Sequence, residues 1–312
     1  MKQKLSVVGA NLVFAAIVTG YFVFEIILVI LRILLERVYG SEFVKFTVMD
    51  NLYYTTLAQF ILLLFPVLFY SFARNNDILK VFRLNKLKFS HIVIVALVSI
   101  PACFAAKALN TINLYMLQPF VDIPEVYLPV PGNISELLVV IFTIAVTPAI
   151  CEEFLFRGLM LSSYEIRGSM RAVVITSIMF AIYHFDITNV AGTIFSGILF
   201  GYMVLRTNSL YSAVIAHFIN NTIAELLIYR SGIEYPVPVV VSVLDFKYSL
   251  YYLLVSLFLI FFLMKLLVKV TQGVYTPKPP IARIRDDFIS VLSHWPIILV
   301  LFLYIATIHI FY

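Results

Sequence analysis

Charge is what this chain has least of. Of its 312 residues only 12% are Asp, Glu, Lys or Arg, against 62% hydrophobic, whereas soluble domains carry about 25% charged and about 45–50% apolar residues. With a mean hydropathy of +1.01, a water-soluble globule is excluded. Cysteine is nearly absent: Cys103 and Cys151 both sit in apolar runs, which excludes a disulfide framework and leaves two small buried thiols. Glycine, at 11 residues, is too scarce for collagen, and the apolar content excludes disorder. No repeat, low-complexity tract or linker divides the chain, which predicts one membrane domain over 1–312.

What is abundant is long apolar sequence. Crossing about 30 Å of hydrocarbon takes roughly 20 residues, and such runs occur near 8–35, 52–73, 91–112, 134–160, 171–187, 190–206, 210–229, 248–270 and 293–311. The expected fold is an all-α polytopic helical bundle of about nine transmembrane helices, with eight as the alternative. The fifth and sixth runs are short and separated by little more than Asp186 to Asn189, so a tight turn or a partly re-entrant pair fits there. The first run outlasts the about 7–15 residue core of a signal peptide and lacks a small-residue cleavage site, so it reads as an anchor.

Lys and Arg are retained on the cytoplasmic side of short loops. Lys2 and Lys4 precede the first run, Arg74 to Lys88 follow the second, Arg157, Arg167 and Arg171 the fourth, Arg206 the sixth, and Lys265 to Arg285 the eighth. The alternate loops hold Asp50, Asp122, Glu125, Asp186 and Glu234. A multi-pass cell-membrane protein with a cytoplasmic N-terminus and an extracytoplasmic C-terminus fits this count. The net charge of +5 then reflects that bias and the membrane lipid around it, with no nucleic-acid partner implied. Asn75 to Lys88 mixes basic and apolar residues, as a helix lying on an anionic surface would, or a plain connecting loop.

An ionisable group at the centre of a membrane helix costs at least about 2.5–3.5 kcal/mol, so each one asks for a reason. The run Thr147 to Gly158, TPAICEEFLFRG, places Glu152 beside Glu153 with Arg157 four residues after Glu153; Phe180 precedes His184 by four, and His217 precedes Asn221 by four, with Asn220 adjacent. Residues four apart share a helix face while neighbours diverge by about 100°. Glu153 and Arg157 can therefore pair, His217 and Asn221 can project together, and Glu152 points elsewhere without a local counter-charge. At about 1.5 Å per residue from the expected cytoplasmic ends, Glu152, His184 and His217 lie at depths of roughly 15, 20 and 12 Å. That puts three helices' polar groups in one layer, assigned to the cytoplasmic half.

A buried carboxylate, two imidazoles and an amide can activate water and stabilise an oxyanion. Glu152, His184 and His217 are equally a two-His, one-Glu set for a divalent metal such as zinc. At these residues the sequence resembles the CPBP family of intramembrane endopeptidases, which includes the type 2, Ras-converting CAAX prenyl proteases. The family pattern is Glu-Glu-x-x-x-Arg, then Phe-x-x-x-His, then His-x-x-x-Asn or Asp, and every element is present, in order, within a core of 134–230. The flanking helices, 1–133 and 231–312, resemble the family only in spanning the membrane. The resemblance implies that Glu152 activates water with His184 assisting, that His217 and Asn221 hold the oxyanion, and that Glu153 and Arg157 support them. Its members are read both as metalloproteases and as metal-free glutamate enzymes, and the substrate implied is a membrane-associated peptide or protein.

The plainer readings are structural. Glu153 with Arg157 reads as an ion pair, Phe180 as packing against the site and Asn220 as a helix–helix hydrogen bonder. Glu25 and Arg32, seven apart, can pair along the first run, and Gly192, Gly197 and Gly201 suggest close helix packing. Two other functions compete with proteolysis. A proton-coupled transporter would use the same groups as a relay, but no inverted repeat or paired broken helix is evident; a non-catalytic scaffold or bacteriocin self-immunity factor would not use them at all.

Overall fold

The computed structural model describes residues 5–40, 48–74, 77–124, 130–231, 240–281 and 283–312. Lys2, Lys4, Glu125 and Glu234 of the charge count, with Asn75 and Asn76, lie outside them. The described residues are almost wholly helical: α1 (Val7–Tyr39), α2 (Leu52–Ala73), the single turn α3 (Ile78–Val81), α4 (Phe89–Leu117), α5 (Ile134–Arg167), α6 (Ser169–Tyr183), α7 (Val190–Thr207), α8 (Tyr211–Ser231), α9 (Val243–Val270), α10 (Ile284–Leu292) and α11 (Trp295–Phe311). The chain is a polytopic membrane bundle.

A helix stands at each of the nine expected positions, yet among the described residues only six are long and apolar enough to span a membrane, or seven if α10 and α11, bent by 73°, count as one span. α6 is short at 15 residues, and α8 carries Asn220, Asn221, Glu225 and Arg230. Both bear site residues, and the bundle itself supplies the surroundings that lipid supplies to the outer helices.

Side-chain caps begin the helices where the sequence offers them. Ser6 accepts from Gly9 N at 3.0 Å and Asn133 from Glu136 N at 3.0 Å, while Ser242 and Asp245 form a reciprocal capping box. The α5–α6 corner turns on Gly168, at φ +109°, where a Cβ would stand 2.8 Å from Pro280 Cα. Any other residue there would be strained and would push away the 271–281 loop.

α5 forms the axis of the bundle. Its Tyr164 donates to Asn11 of α1 at 2.7 Å, and Asn11 in turn bonds His294 before α11 at 2.9 Å. At one end of the bundle the basic loops are stitched to the helix ends. Glu165 takes Arg83 at 2.7 Å and Lys278 at 2.8 Å, and Arg167 bonds Asp287 at 2.9 Å. Segment 77–88 is thus neither a surface helix nor a plain loop: beyond the one turn of α3, Phe82 is fully buried against Gly158 and Arg83 is buried with Glu165. Nor does Arg32 pair with Glu25; it pairs with Glu36 at 2.9 Å on an exposed face.

Gly197 and Gly201 meet the expectation of close packing. A Cβ on Gly197 would lie 2.8 Å from Ser177 Cβ, and one on Gly201 would lie 3.1 Å from Val173, both on α6. Gly192 instead meets α4, where a Cβ would stand 2.4 Å from the Ala106 carbonyl oxygen.

Candidate active site

Two π-helical segments flank the Glu-Glu pair, Ile141–Val146 before it and Phe154–Met160 after it. Such widened turns re-aim side chains and break the regular bonding of the helix. Pro148 follows the first; without an N–H it cannot serve the Ile144 carbonyl four residues earlier. Asn221 of α8 takes up that carbonyl, its Nδ2 donating at 2.8 Å, while its Oδ1 accepts from Asn220 Nδ2 at 3.1 Å. Asn221 is thereby held against α5 beside Glu152.

Glu152 and Glu153 diverge as adjacent helical residues must. Glu153 turns into the protein, where Oε1 accepts from Arg157 Nη1 at 2.8 Å and lies 2.8 Å from His217 Nδ1. The carboxylate accepts only, so His217 carries its proton on Nδ1 and turns Nε2 towards Glu152. Arg157, 1% exposed, lies over the Phe180 ring at 4.3 Å and the Phe200 ring at 5.6 Å, cation–π contacts that offset part of its burial. Phe180 also meets His184 edge-on at 4.7 Å. It packs against the site, as expected, and shields the guanidinium as well.

Glu152 faces a cavity of about 300 Å³ together with His184, His217 and Asn221. Its Oε2 is buried without a hydrogen-bond partner and lies 4.0 Å from Nε2 of both His184 and His217. His184 caps the C-terminus of α6, where the Phe180 carbonyl accepts from its Nδ1 at 2.7 Å. A carbonyl cannot donate, so this imidazole too carries its proton on Nδ1 and offers Nε2 to the cavity. The next residue, Phe185, sits at φ +52°, an unfavourable conformation for an aromatic residue. Its ring is held by Phe22 at 5.0 Å and Tyr304 at 5.8 Å, which fixes the turn that ends α6 on His184.

All seven residues expected in the site are brought together from three helices. Spacing did not reveal Phe200, stacked on His217 at 5.7 Å, nor Asn110, Thr193 and Ser196 in the walls. The available signal was Gly192, Ser196 and Phe200 at intervals of four, one face of α7 with two small residues and an aromatic. The zinc set does not fit. Tetrahedral ligands about 2.0–2.1 Å from zinc stand about 3.3 Å apart, Glu152 is 4.0 Å from each imidazole, and among the described residues no group of three His, Cys, Asp or Glu is arranged to hold a metal.

No curated protein and no solved structure matches the chain. Residues 134–223, which run from the start of α5 into α8 and hold the seven expected site residues, fit the model for the type II CAAX prenyl endopeptidase Rce1-like family.

Proposed function

We propose that the protein is an intramembrane endopeptidase in which Glu152 activates water against a peptide bond of a membrane-associated peptide or protein. The observation that carries this reading is the unpaired, buried Glu152 Oε2 lying 4.0 Å from two imidazole Nε2 atoms in a cavity. A water at about 2.8 Å from Glu152 Oε2 and from His184 Nε2 fits a gap of that width.

Glu152 takes one proton of that water as its oxygen bonds to the scissile carbonyl carbon, and His184 Nε2 holds the other proton and fixes the attack direction. The carbonyl electron pair moves to oxygen. His217 and the second Nδ2 proton of Asn221 receive that oxyanion. Glu153 holds Nδ1–H of His217, so the ring donates from Nε2 with a second proton, taken up from solvent before attack and kept on the ring throughout, and Glu153 is its counter-charge. The C–N bond then breaks, with the proton held on Glu152 passing to the leaving amine.

The test is a comparison of peptide termini by mass spectrometry in membranes carrying wild type or Glu152→Gln at equal abundance. Loss of the base lowers turnover by about 10²–10⁴, so termini made by the enzyme vanish in the variant. Identical termini in both would overturn the reading in favour of a non-catalytic protein.

A further inference from the structure

The catalytic cavity has a direction. Glu152, His217 and Phe200 form its floor, and its walls rise along Ala106 and Asn110 of α4 and Gly192 and Thr193 at the start of α7. These residues belong to the end of the bundle that carries the α6–α7 turn. There Asn113 donates to the Ile187 carbonyl at 2.7 Å, Asn110 donates to Asn189 at 3.0 Å, and Asn110 accepts from Gly192 N at 2.7 Å. Below the floor, Arg157 lies across Phe180 and Phe200 and closes the way towards the opposite end.

That opposite end is the basic one, where Arg83, Arg167, Arg171, Arg206 and Lys278 join the helix ends to the loops. At the end to which the cavity opens, Arg32, Arg37, Lys107, Arg230 and Lys247 are offset by Glu36, Asp122, Glu136, Asp186, Glu225 and Asp245. Excess Lys and Arg mark the cytoplasmic side. The cavity therefore opens on the other side, a direction that depth along the helices does not give.

The walls add a chemical requirement. Apart from Glu152 and the two histidines, the described lining holds no ionisable side chain, and its polar groups are Asn, Ser and Thr. Asn220 Oδ1 in that lining is buried without a partner, an acceptor positioned for a substrate amide N–H. From the direction and lining of the cavity we propose that the site takes its substrate from the extracytoplasmic face, as a peptide segment with small, uncharged residues flanking the scissile bond. This rests on the protease reading above.

Cysteine accessibility tests it without requiring turnover. In a chain with Cys103 and Cys151 replaced by alanine, Thr193→Cys reports on the cavity wall and Lys88→Cys on the basic end. The expected result is that a small membrane-impermeant thiol reagent modifies Thr193→Cys in intact cells and Lys88→Cys only in inverted vesicles. Modification of Thr193→Cys from the vesicle side alone overturns the proposal. So does modification from neither side when the denatured protein reacts fully, because the cavity would then be closed to that face. Adding Glu152→Gln leaves the labelling pattern unchanged, so an orientation error and a failure of the protease reading give different results.

Discussion

The pair Glu153–Arg157 allows a prediction in which stability and catalysis separate. Both side chains are almost fully enclosed, at 0% and 1% exposure, and their contact is 2.8 Å. Removing one partner leaves the other charge buried and uncompensated, which costs about 3–5 kcal/mol. Arg157→Met strands Glu153 with only His217 beside it. Glu153→Gln strands Arg157, but the guanidinium keeps the Phe180 face at 4.3 Å and the amide oxygen, so its loss lies at the lower end, with up to about 2 kcal/mol offset by the ring.

The double variant Glu153→Gln, Arg157→Met buries no charge at all. It should be more stable than Arg157→Met alone, with a coupling of about 2–3 kcal/mol in the cycle. Thermal unfolding in detergent reads this directly: the Arg157→Met midpoint falls by on the order of 10 °C, at about 2–4 °C per kcal/mol, and the second substitution recovers part of it. Cleavage does not recover, because His217 has lost the carboxylate that holds its Nδ1–H and orients the ring. Two single losses that simply add in the double variant would refute the pairing energetics. Restored activity along with restored stability would refute the link from Glu153 to His217.

Asn221→Ala removes one oxyanion donor and should lower kcat by about 10²–10³, while the orphaned Ile144 carbonyl costs about 1–3 kcal/mol of stability; a stability loss with unchanged kcat would reduce Asn221 to a helix pin. A divalent-metal chelator should leave cleavage unchanged, since the Glu152, His184 and His217 geometry is too wide for zinc. Inhibition reversed by added zinc would show that these side chains close on a metal.

What could be read along one helix was legible in the sequence. Spacing of four put Arg157 against Glu153 and set Asn221 on the face of His217, and both hold in three dimensions. Contacts between elements were not legible. Nothing local in Asn75 to Lys88 announces that Arg83 reaches Glu165, some eighty positions on, at 2.7 Å. An amphipathic pattern reads the same whether the apolar side faces lipid or protein. The spans show the same limit: hydropathy ranks a helix as if lipid surrounded it, yet α6 and α8 carry Thr176, His217 and Glu225, which the bundle buries. Depth along each helix brought the site into one layer but not which way it opens, because the opening depends on what fills the space on either side of Glu152.

Two adjacent glutamates with identical side chains carry most of the proposed chemistry. The difference is about 100° of rotation around α5. One carboxylate is turned into packed protein, where Arg157 and His217 occupy its Oε1 and it serves as a fixed counter-charge. The other is turned into a cavity with one oxygen free of hydrogen bonds, which is the condition for taking a proton from water. Exchanging their surroundings would exchange their roles. Moving the pair one residue towards the C-terminus, to positions 153 and 154, would therefore abolish activity although a carboxylate still met Arg157 and His217, since the cavity would then hold none.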